Sequence, residues 1–319
     1  HWHLTVQAPI ESIATDTGRP KREVVAAIND ARKTLFAKRE ERIHPGRDEK
    51  QLTAWNGLAI RGFAIAGNAL ERPDLIDAAA AATDFVRTTM IRDGRLFASY
   101  KDERVRFPAY LDDHAFLLDG ILELLQARWN TGHLRFGIQL AELMLEHFHD
   151  TDNGGFYFTA DDHESLMHRP KPLSDDATPS GNGIAAFALQ RLGFLLGETR
   201  YLDAAEKTLQ GAARAMEEYP HGHVSLITAL EEHLDHPEII IIRGPEADIE
   251  SWRNSATRLY APRRLVFAIP ADAPDLPGAL ADRKPEGDQA IAYRCIGTHC
   301  SMPLTSFEAL AGELSEISD

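Results

Sequence analysis

The sequence predicts a mainly α protein whose paired helices form part of a double ring, followed by a small α/β region. Three observations lead there: similar helix openings recur, a more apolar helix precedes each one, and past Pro237 the pattern turns to β-branched runs. The openings begin at Asp74, His133 and Tyr201. Leu75, Ala78 and Ala82 share one helical face, as do Leu134, Gly137 and Ala141, and Leu202, Ala205 and Leu209, because offsets of three and seven return to one side. The small residues among them permit close helix packing.

Residues 1–20 read as an extension, 21–236 as the helical region and 237–319 as the α/β region. A charged helix over 21–42 comes first. Apolar helices follow over 52–66, 111–127 and 181–196, and their hydrophobicity calls for burial on most sides, as in the inner layer of a double ring. Strand-like pieces at 94–100 and 154–159 follow two of the outer helices, so the repeating unit is inner helix, outer helix, hairpin. A last apolar helix over 223–234 brings the helical region to about eight helices. In the α/β region, strands are expected at 238–243, 264–269 and 289–295, helices at 246–259 and 306–314, and a loop at 270–287.

Composition narrows the partners. The 319 residues are 44% hydrophobic and 26% charged, which is ordinary for a globular chain. A net charge of −15 repels a phosphate backbone, so nucleic acid is not an expected partner. The longest apolar runs, such as 239–242, are too short for a bilayer, and no signal-peptide pattern opens the chain. Two cysteines, Cys295 and Cys300, exclude a disulfide-stapled scaffold and fit a reducing compartment. A cytoplasmic protein with no membrane partner is the expectation. Gly244-Pro245 follows a strand without further glycines, so no dinucleotide site is indicated and no cofactor is expected. His147 and His149 are two apart and cannot share a helical face, and the cysteines lack a second pair, so no metal site is expected either.

Polar residues gather where the inner helices begin. The first cluster, 48–57, includes Trp55 and Asn56; the second, 108–114, includes Tyr110, Asp112, Asp113 and His114. The third, 175–182, includes Asp176, Ser180 and Asn182, and His223 opens the last helix. If the inner helices run parallel, their N-termini meet on one rim, where unpaired N–H groups favour bound oxygens. Each residue has a plainer role as well. Asp112, Asp113 and Ser180 suit helix caps, Asp176 a solvated turn, Trp55 a core position and His114 a hydrogen-bonded core histidine. Capping alone does not account for Trp, Asn, Tyr and His gathering beside the caps.

The segments 39–42, 48–57, 110–115, 154–159 and 176–182, with the Cys295/Cys300 tail, together resemble the thioredoxin-domain-containing family that includes spermatogenesis-associated protein 20. In that family the region after the thioredoxin-like domain is similar to the six-hairpin α/α toroids of N-acylglucosamine 2-epimerase and glycosidase-like proteins. The resemblance implies a partial α/α toroid with a carbohydrate-related cavity. No counterpart of the thioredoxin-like domain precedes His1, so a C-terminal portion of a longer protein, or a shortened relative, is expected. A complete ring has twelve helices; an open one exposes apolar flanks that an oligomer or a missing N-terminal region would cover.

The expected function is therefore that of a sugar epimerase or isomerase, or of a glycoside hydrolase. For epimerisation or isomerisation, His114 and His223 are the acid–base candidates. For hydrolysis, Asp112 or Asp113 would face Asp176. Trp55 and Tyr110 would cover the apolar face of a sugar, and Asn56, Ser180 and Asn182 would bind hydroxyls. The alternative is a noncatalytic ligand-binding or scaffold module.

Overall fold

The computed structural model describes residues 5–164, 166–258 and 260–315. The chain divides into two compact units, 1–49 and 50–319. The first holds α1 (Ile10–Thr17) and α2 (Lys21–Glu40), which pack on each other. Gly18, at φ 64°, closes α1 in the left-handed conformation glycine tolerates, and Pro20 precedes the start of α2. The residues read as an extension include α1, and α2 lies in the same compact unit.

In the second unit, β1 (Gln51–Leu52) leads into α3 (Thr53–Ala69) and α4 (Pro73–Thr89). Next come β2 (Ile91–Arg92), β3 (Arg95–Lys101) and β4 (Arg104–Pro108), then α5 (Leu111–Ala127), α6 (Thr131–His147), α7 (Gly181–Leu196), α8 (Thr199–Glu218) and α9 (Val224–Leu234). Helices α3, α5, α7 and α9 pack in that order as the inner layer; α4, α6 and α8 each back the inner helix before them. α5 and α7 are buried along almost their whole length, which is why their sequences are apolar all round. This is an arc of an α/α toroid. Strands β1 and β2 flank β3 and β4 pairs with it, all antiparallel, beside the start of α3.

The α/β region consists of β5 (Glu238–Gly244), α10 (Glu246–Ala256), β6 (Arg264–Pro270), β7 (Ile291–Ile296), β8 (His299–Cys300) and α11 (Phe307–Ser315). The strand order is β6-β5-β7-β8, with β5 parallel to β6 and antiparallel to β7. Because strand side chains alternate, Ile239 and Ile241 join the helical core while Ile240 and Ile242 pack with α10 and α11. The region thus shares the core of the helices. Val266 donates its amide to Gln126 Oε1 (3.2 Å), and Trp129 meets Phe267 edge-on, so the sheet sits at the C-terminal end of α5.

Two further expectations are corrected. Residues 154–159 form no strand, only a bridge between His149 and Phe156. Cys295 and Cys300, opposite each other on β7 and β8, form a disulfide, so the cysteines no longer argue for a reducing compartment. No described helix is long and apolar enough to cross a membrane.

Candidate functional site

The N-termini of the inner helices are tied together by carboxylates. Asp113 accepts from the amides of Ala54 (2.9 Å) and Tyr110 (2.8 Å), so one side chain caps both α3 and α5. Burial pushes its carboxyl up to about 7, against the pull of those two amides. Asp175 does the same for α7 and α9, accepting from the amides of Ser180 (2.8 Å) and Ser225 (2.9 Å) and from the Ser225 hydroxyl (2.5 Å). Burial opposes its ionisation, but these donors win and hold it below the usual carboxylate range.

Other rim residues serve the backbone too. Asn182 is fully buried: its Oδ1 accepts from Phe156 N (2.7 Å), and its Nδ2 donates to Phe156 O (3.0 Å) and Pro172 O (2.9 Å). It thereby takes both backbone groups of Phe156, which a strand partner on that edge would have used. Ser180 Oγ caps the Gly183 amide and bonds Pro172 O (3.2 Å). Asn56 donates to the O of Leu52 (2.8 Å), the residue just before its own helix. Asp176 is exposed and does not line the cavity that Tyr110 and Asp112 border.

The two histidines repeat one motif. His114 Nδ1 bonds Tyr110 O (2.8 Å), and His223 Nδ1 bonds Tyr219 O (2.7 Å), each four residues back. His114 also packs on Phe148, with ring centroids 4.9 Å apart, and burial pushes it down to about 4. It therefore enters the fold neutral. The unfolded chain takes a proton near pH 6.5 and the folded one only near 4, so stability is lost as pH falls through that window, by about 3 kcal/mol. Asp112 and Asp113, both raised, act in the opposite sense. Subtracting the urea-unfolding profile of His114→Gln isolates the histidine: the wild type should lose about 3 kcal/mol relative to the variant between pH 6.5 and 4. Parallel profiles would refute a neutral buried ring.

Asp112 stands apart from these staples. Its Oδ1 is buried and accepts no hydrogen bond, and a Cβ on Gly181, the first residue of α7, would collide with it. Burial raises its carboxyl to about 6. Asp112 borders a cavity of about 270 Å³ together with Lys50, Trp55, Ser99, Phe107 and Tyr110. Tyr110 stacks on Phe158 at 4.7 Å, while Trp55 is 64% exposed. Of the sequence-selected residues, the structure thus brings Trp55, Tyr110, Asp112 and Asp113 to one cavity. His114, His223, Asn56, Ser180, Asn182 and Asp176 do not border it.

A second polar cluster escaped the sequence reading. Arg191 on α7 binds Glu232 of α9 through Nε (2.8 Å) and Nη2 (2.5 Å), and Glu123 of α5 through Nη1 (3.1 Å). Arg61 on α3 pairs with Asp119 (2.8 Å), whose Oδ1 is buried without a partner and whose carboxyl burial raises to about 6. Charged residues inside apolar helices were the available signal. Arg61, Arg191 and Glu232, with Arg264 from the sheet, border a cavity of about 720 Å³. Elsewhere, His147, Asp161 and Asp162 bring ligand atoms within 4.8 Å of one another. Arg95 bonds both His147 (3.0 Å) and Asp162, so a guanidinium already supplies the positive charge there.

An arc of helical hairpins with a polar N-terminal rim defines a partial α/α toroid. No family model matches the chain. Its sequence is similar to spermatogenesis-associated protein 20 of Homo sapiens, at 28% identity over 95% of this chain and 41% of that protein. The Rattus norvegicus protein of the same name is 29% identical over 95% of this chain and 40% of that protein. The chain thus spans about two fifths of the length of these relatives. Among solved structures it is similar to a GH76 α-mannanase of Bacteroides thetaiotaomicron (TM-score 0.48, 13% identity, 58% of this chain and 53% of that one). It is also similar to a cellobiose 2-epimerase of Spirochaeta thermophila (TM-score 0.44, 17% identity, 51% and 43%).

Proposed function

We propose that the cavity at Asp112 binds a reducing sugar and that Asp112 moves a proton on it. The observation that carries this reading is a buried carboxyl oxygen with no hydrogen-bond partner at a cavity walled by Trp55, Phe107 and Tyr110. Aromatic faces suit the C–H face of a sugar ring, and a carboxyl near 6 is available in both protonation states close to neutral pH. Hydrolysis by paired carboxylates is less well supported, because both oxygens of Asp113 already accept amides and Asp176 does not border the cavity. Epimerisation must return the proton to the opposite face of the carbon, which calls for a second group. A lone carboxyl can instead shuttle a proton between adjacent carbons on one face, the requirement of aldose–ketose isomerisation.

The noncatalytic reading has its own support, since Asp113, Asp175, Ser180 and Asn182 all serve the backbone. One experiment separates the two. Hexoses are incubated with the protein in D2O, following deuterium at C2 and ketose formation by NMR, with binding read from tryptophan fluorescence. Exchange should fall at least about 100-fold in Asp112→Asn while binding changes little. Binding without exchange in the wild type would leave a binding module, and no binding of any hexose would remove the carbohydrate reading.

A further inference from the structure

We propose that Phe107 is a specificity-determining wall of this cavity, held in an unfavourable backbone conformation so that its ring meets a single sugar unit; the inference rests on reading the cavity as a sugar site. Phe107 lies within β4 at φ 61°, in the left-handed region that side chains other than Gly, Asn and Asp rarely enter. Pro108 follows, and a residue before proline is driven further toward extended conformations. Asp102 and Glu103, also at positive φ, are explained by the tight turn joining β3 to β4. Phe107 has no such excuse.

The conformation is not repaid by burial. Phe107 is 61% exposed, so it contributes little to the core, yet it borders the cavity that holds Asp112. A strained residue that gains nothing for the fold, placed at the mouth of a site, points to a role in what the site binds. At about 270 Å³ the cavity is small for a ligand site, sized for one ring and not for an oligosaccharide. The ligand class is therefore a monosaccharide with one face of C–H groups to lay against an aromatic ring. Trp55, 64% exposed at the same cavity, offers a second such surface.

The test replaces Phe107 with residues that accept positive φ. Phe107→Gly and Phe107→Asn should raise Tm by about 2 °C by relieving the backbone. The same variants should weaken hexose binding at least tenfold in calorimetric titrations with D-glucose, D-mannose, D-galactose and D-fructose. Maltotriose, as the chain-length probe, should bind the wild type no more tightly than glucose. Wild-type binding that persists unchanged in both variants would overturn the role of Phe107 while leaving the sugar site intact, as would tighter binding of maltotriose for the one-ring class. A wild type that binds no hexose would remove the parent reading and this one with it.

Discussion

Arg191→Met should unfold at a much lower urea concentration than the wild type, with a loss of about 3–5 kcal/mol. The reason lies in what stays behind. Arg191 is 4% exposed in its side chain, and so is Glu232, to which it gives two hydrogen bonds. Its guanidinium also lies 3.8 Å over the Phe187 ring. Removing it strands Glu232 as an uncompensated buried carboxylate and takes one partner from Glu123. A buried pair as a whole is a different matter, because desolvating two charges offsets most of their attraction. Arg191→Met combined with Glu232→Met should therefore recover much of the loss, a coupling that the double-mutant cycle reads directly. A single-variant loss below about 1 kcal/mol would mean that water reaches the network and screens it.

The inner helices were the most legible part of the chain. α5 and α7 have the bounds expected from sequence, since a helix buried on all sides is apolar throughout and its ends stand out. Strand β5 was legible as a β-branched run and β6 as a second apolar strand. Pro9 and Gly18 bracket α1 and are its signal in the sequence. Residues 154–159 read as a strand because Phe156, Tyr157 and Phe158 are residues that favour strands, but whether a strand forms depends on a distant partner, and on one edge Asn182 takes the backbone groups of Phe156. The disulfide required the register of β7 against β8, which spacing does not fix.

At the rim, parallel helices made convergence of Trp55, Tyr110, Asp112 and Asp113 foreseeable. The division of labour between them was not. Asp112 and Asp113 are adjacent acids in the first turn of one helix, and only their neighbours in space separate a carboxyl that staples two helices from one that faces a cavity. The plainer sequence readings of His114 and Ser180, a hydrogen-bonded core histidine and a cap, describe the contacts those two side chains make.

Gly57→Ala should damage fold and site together. A Cβ on Gly57 would lie 2.6 Å from Leu117 N and Phe116 C and 2.8 Å from Phe116 O, all backbone atoms of α5. On the facing helix, a Cβ on Gly120 would lie 2.6 Å from Gly57 O. The two helices meet backbone to backbone at this pair of glycines, and no flexible side-chain end can move aside. An added methyl must push α3 from α5, at a cost of about 2–3 kcal/mol. Trp55 rides on α3 two residues earlier and Asp112 on α5, so the same displacement separates the aromatic wall from the carboxyl and should weaken hexose binding in the fraction that still folds. Gly62→Ala is the matched control: it is in the same helix, exposed, with nothing within 4 Å of its Cβ, and should stabilise by about 0.5–1 kcal/mol through reduced chain entropy. If Gly57→Ala unfolds within about 0.5 kcal/mol of the wild type, the helices are not in backbone contact there, and the geometry that brings Trp55 and Asp112 to one cavity loses its foundation.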